Sequence, residues 1–203
     1  MDLENYKKVW SNQSEETNKL SSIEIYKLAH SKSSSIVKWI FIIGILEFVI
    51  FNSVYFFFDM EEANNSYKEL GLENFIYYSQ ILTYIILFYF LVVFYKNYKN
   101  ISVIDTTKTL MDKILKTRKT VRNYVFFNLS YLVFISIVVT SAMVNEEFAN
   151  DSSKKVFVII LTMLITTTVL VGIFWLFYQL LYGILLKKLN RNYKELAKLD
   201  DLN

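Results

Sequence analysis

The sequence predicts an all-α, polytopic membrane protein: a bundle of four transmembrane helices with helical extensions on the cytoplasmic side. Two observations carry this expectation. First, apolar residues make up 54% of the 203-residue chain, more than in an average soluble domain, and they gather in four runs at 37–58, 75–95, 124–144 and 156–182. Each run matches the roughly 20 residues that a helix rising about 1.5 Å per residue needs to cross the hydrocarbon core. Second, the basic residues are segregated. Of 22 lysines and arginines, only Lys68, Lys154 and Lys155 fall in the loops 59–74 and 145–155. The rest lie before the first run, between the second and third, or after the fourth. By the positive-inside rule both termini and the loop 96–123 face the cytoplasm. The expected location is a bacterial inner membrane.

Strands are excluded because barrel strands are about 10 residues of alternating polarity, whereas these runs are longer and apolar on every face. The first run begins too far into the chain, and is too long, for a signal peptide with an h-region of about 7 to 15 residues. Proline and cysteine are absent. No span therefore has a proline kink, and only Gly44, Gly172 and Gly183 could loosen one.

Residues 1–36 form a cytoplasmic N-terminal segment. Its opening, "MDLENYKKVW", places Leu3, Tyr6, Val9 and Trp10 on one face of a short helix, a candidate partner-binding face. A polar linker comes next. A second helix is expected from "SSIE", where Ser21 and Glu24 fit a capping box, running on into the first span. In the central loop, Ile104, Met111, Ile114, Leu115 and Val121 recur at near-helical spacing, so one helix is expected from about 105 to 144, projecting roughly 28 Å from the membrane. Beyond the fourth span, Leu185, Leu189, Tyr193, Leu196 and Leu199 continue an apolar stripe through the tail 187–203. The two extensions are expected to pack together as a stalk or to bind a partner.

The opening Leu3-Glu4-Asn5-x-Lys7-Lys8-x-Trp10, with a polar linker and membrane spans after it, resembles a group of poorly characterised small bacterial inner-membrane proteins. Some of these are similar to membrane-anchored regulators of sigma factors. The resemblance covers about ten residues and implies a cytoplasmic peptide that sequesters or signals to a soluble partner. The chain lacks the zinc-binding His/Cys set that accompanies many such regulators.

Little in the sequence points to catalysis. The one histidine, His30, lies in the juxtamembrane segment and reads as an ordinary surface or interfacial residue. Phosphate-loop, zinc-protease and serine-hydrolase motifs are missing, so no enzyme, metal or cofactor is expected. Basic residues interleaved with acids at a membrane edge also argue against nucleic acid.

The residue that invites chemistry is Glu47, central in "WIFIIGILEFVIFNSVYFFF". Counting from the ends of its run places it near the midplane. An ionised carboxylate without a cation there costs at least about 2.5 kcal/mol. The expected state is neutral and hydrogen-bonded to hydroxyls at similar depth on other spans: Thr83 and Tyr84, Ser136, and Thr166, Thr167 and Thr168. Gly44, one turn away, should permit close approach of another helix. The expected role is a non-enzymatic scaffold, accessory subunit or membrane-anchored regulator with a protein partner or as a homo-oligomer. The alternative is a small oligomeric transporter or channel using Glu47 as a proton or cation site.

Overall fold

The structure is a computed structural model, and it describes residues 22–57, 59–101, 106–149 and 153–200. The candidate partner-binding face Leu3, Tyr6, Val9 and Trp10, and the resemblance carried by that opening, lie outside the described residues.

Every element is helical: α1 Ser22–Phe57, α2 Glu61–Glu69, α3 Glu73–Asn100, α4 Thr107–Ala149, α5 Ser153–Tyr178, a π-helical turn Gln179–Gly183, and α6 Ile184–Asp200. Among the described residues, four stretches are long and apolar enough to cross a membrane, within α1, α3, α4 and the continuous α5–α6 rod. The chain is a multi-pass membrane protein with an all-α bundle.

The helices overrun the apolar runs at both ends. α1 forms without a break through "SKSSS" into the first span, and α4 is one rod of 43 residues. The short connection between α1 and α3 contains a helix that hydropathy did not signal. α2 ends in a Schellman turn, with Leu72 N–H donating to the Tyr67 carbonyl and Gly71 N–H to that of Lys68. Gly71 adopts φ 67°, open to glycine without steric cost.

α4 packs mainly on α5, and α1 packs on α3 in the membrane half and on α6 in the stalk. At the end that carries the basic loops, Ala29, Ile36, Leu110, Ile114, Leu189 and Leu196 bury one continuous core between α1, α4 and α6. Asn192 Nδ2 donates to Ser33 Oγ at 3.0 Å inside it. The two stripes meet across α4 and α6 as expected, but α1 packs there as a third wall and Leu115 of the first stripe stays exposed. His30 belongs to this packing. It is buried, not at the surface, and its ring lies 6.2 Å from Tyr26.

Candidate functional site

Glu47 is 3% exposed and lies one turn beyond Gly44 on α1. A Cβ on Gly44 would lie 3.2 Å from Phe94 Cδ2 and 3.3 Å from Leu91 Cδ2, so α3 comes in against the glycine as its spacing predicts. One turn further, the carboxylate faces the far wall of the bundle. There Tyr182 Oη donates to Glu47 Oε2 at 2.9 Å. The hydroxyls of Tyr178 and Tyr124 approach the same carboxyl closely enough to interact with it. The three rings lie 5.9 to 6.2 Å apart, and Phe94 closes the cage 5.4 Å from Tyr124.

The local cause is the π turn. Gln179–Gly183 inserts an extra residue into the rod, widening it and rotating the residues beyond it. A Cβ at Gly183 would meet the Gln179 side chain, its Cδ 2.9 Å away, so the glycine lets that side chain lie close along the turn. Tyr178 precedes the turn and Tyr182 lies within it, and both rings point at α1.

The hydroxyls expected from the sequence do not meet Glu47. Thr83, Ser136 and Thr168 donate to carbonyls of their own helices, of Ser79, Leu132 and Leu164. Thr166 and Thr168 face outward and Thr167 is half-buried. Tyr84 donates across helices, but to Asn52 Oδ1 at 2.8 Å. The error is one of depth: Glu47 shares a cavity with Leu87 and Leu91, in the second half of the second apolar run, and with Tyr124 at the start of the third. It sits towards the basic end rather than midway. Run edges misplaced it because they do not report how far one rod is shifted along its axis against the next. The available signal was Tyr178 and Tyr182, four residues apart at the basic end of an otherwise apolar span.

From Glu47 away from the basic end, two recesses carry polar side chains among apolar ones. A cavity of about 40 Å³ touches Glu47, Asn52, Tyr124 and Asn128 alongside Phe48, Phe51, Leu87 and Leu91, room for a water or a small ion. Beyond it a cleft of about 470 Å³ shares Asn52 and Asn128 and continues past Gln80, Tyr84 and Tyr131 to Asn64 and Tyr67 of α2. Gln80 Nε2 donates to Tyr84 Oη at 3.3 Å, and Tyr131 Oη to Ser79 Oγ at 3.2 Å. Among the described residues no three His, Cys, Asp or Glu side chains converge. One carboxylate with hydroxyls and amides suits a proton or a weakly held hard cation rather than zinc.

Fold and site define a four-span helical membrane protein with a polar seam ending at a buried glutamate. Residues 23–201 match a family described as Domain of unknown function (DUF8845), and the chain belongs to that family. No curated protein and no solved structure matches it.

Proposed function

We infer that the chain works in the bacterial inner membrane, with both termini and the stalk in the cytoplasm, as a non-enzymatic membrane-anchored regulator or accessory subunit. In this reading the polar cleft faces outward, and the protein couples the state of that cleft to the shape of its stalk. The orientation rests on the basic residues of the stalk end. The observation that carries the coupling is a pair of polar bonds joining the same two rods at two levels, Tyr182 to Glu47 in the membrane and Asn192 to Ser33 in the stalk. Anything that enters the cavity beside Glu47 competes for the first bond, and a stiff rod transmits the shift to the second.

A second reading, a small oligomeric transporter or channel with Glu47 as proton or cation site, is favoured by the cleft that reaches the cavity. Two measurements separate them. The chain has no cysteine, so spin labels on cysteines introduced at the exposed positions Lys32 and Lys194 report stalk geometry cleanly. Glu47→Gln keeps the shape of the side chain and removes its titration. The regulator reading expects the label distance to change with pH in the parent protein and to be locked in the Glu47→Gln protein, with sealed liposomes proton-tight in both. A pH-invariant stalk in the parent protein, together with proton flux into liposomes that Glu47→Gln abolishes, overturns it in favour of transport.

A further inference from the structure

A second recess lies at the basic end, on the opposite side of the tyrosine cage from the cleft. It is a groove of about 820 Å³ between α4 and the π turn, and its rim carries Arg118, Lys119 and Arg122. No aspartate or glutamate lines it. The ion pairs found among the described residues, Lys155 with Glu147 and Arg191 with Glu195, do not involve these three cations. Deeper into the membrane half, the same groove is walled by Phe126 and Trp175, which are 73% and 53% exposed. The groove therefore has a cationic mouth at the level where the bundle leaves the apolar layer and an aromatic floor within that layer. The π turn helps to shape it, since Gln179 and Gly183 both line it.

We propose that this groove is a binding site for an anionic phospholipid, its phosphate held by Arg118 and Arg122 and an acyl chain laid along Phe126 and Trp175. The charge is complementary. Guanidinium groups hold phosphate oxygens through paired hydrogen bonds, and three cations without a carboxylate leave an uncompensated positive field for the headgroup to neutralise. Basic pockets between transmembrane helices select such headgroups. The floor decides between a lipid and a free phosphate: exposed Phe126 and Trp175 gain by covering with a chain, whereas a soluble anion would leave them as they are. The site is independent of which side the stalk occupies and of whether Glu47 titrates.

The test is native mass spectrometry of the full-length protein in mild detergent, titrated with dioleoyl phosphatidylglycerol or dioleoyl phosphatidylcholine. The parent protein should retain phosphatidylglycerol about thirtyfold better, each of the two arginines that hold the phosphate contributing about fivefold. Arg118→Gln/Arg122→Gln should bring that preference to within about twofold. Because Arg118 is only half-exposed, Lys119→Gln/Arg122→Gln, at two exposed positions, provides a second variant with the same expected direction. Lys154→Gln/Lys155→Gln, at the other end, should leave the preference intact. Equal retention of the two lipids by the parent protein, or a preference that survives both groove variants, overturns the proposal. Displacement of the lipid by millimolar glycerol 1-phosphate also overturns it, because the occupant would then be a soluble phosphate compound.

Discussion

In the stalk, Leu110, Ile114, Leu189 and Leu196 are fully buried beneath an exterior of lysines. In the membrane half, Leu161, Leu164, Ile165 and Ile173 of α5 face outward, while Glu47, Tyr124, Tyr178 and Tyr182 are buried. The same rods pass through both regions, so the inversion is imposed by the surrounding medium. Water expels the stalk leucines into a core, gaining about 25 cal/mol for each Å² of apolar surface removed. Lipid gives no such gain, because its chains are as apolar as leucine. What remains to hold the membrane half together is close contact, as at Gly44, and polar bonds shielded from hydrocarbon, as at Glu47. The stalk is thus a soluble-protein core, and the membrane half is a lipid-facing shell around a polar seam.

The contrast makes predictions that can break it. The largest effect belongs to the stalk. Leu110→Ala should destabilise by about 2–5 kcal/mol, whereas the same truncation at lipid-facing Leu164 should stay within about 0.5 kcal/mol. Chemical denaturation of both variants in one detergent checks this, and equal losses would mean that the membrane half is also held by a leucine core. Reversing polarity should reverse the ranking. Leu164→Lys should raise the insertion cost by about 2.5–3.5 kcal/mol, read in a membrane-insertion assay, while Leu28→Lys on the exposed stalk surface should be near neutral.

A smaller loss is expected from Tyr182→Phe, which removes the donor to Glu47 and leaves a buried carboxyl with one partner fewer. About 1–2 kcal/mol is the scale for such a bond in a membrane protein, measurable as a lowered unfolding midpoint. Thr83→Val and Ser136→Ala, at hydroxyls that bond only their own helices, should shift that midpoint far less. A loss at the lower end of that scale is expected at Gly44→Ala. There the new methyl meets flexible side-chain ends of Phe94 and Leu91, and mild overpacking sets a cost of about 1 kcal/mol. A larger loss would show that α1 and α3 meet more rigidly than the side-chain contacts imply.

Much of the architecture was legible in the chain. The four spans, the continuous α4 and the self-packed stalk stripes come from hydropathy and from periodicity within single helices, and each is a local property. The close approach at Gly44 was legible for the same reason, since a residue without a side chain marks where another helix can come near. The partners of Glu47 were not. Thr83, Ser136 and Thr166 to Thr168 were plausible by counting from run edges, but the axial shift of each rod against its neighbours, which decides what Glu47 meets, is not recorded in any single run. Helix α2 was missed because its nine residues are polar and cross nothing. His30 was misplaced because a lone polar residue beside the membrane gives no sign of which face will be covered.

By itself the sequence determined that the chain crosses the membrane four times and that its basic end forms a helical stalk, because the run of apolar residues, the loop charge and the spacing of stalk leucines are each read along a single helix. Only the tertiary structure decided that Glu47 is answered by Tyr124, Tyr178 and Tyr182, that a polar cleft leads to it, and that a cationic groove opens behind it. Those depend on how far each rod is shifted and turned against the others, and the π turn at Gln179–Gly183 sets part of that rotation with a change of one residue per turn that no periodicity in an apolar span records.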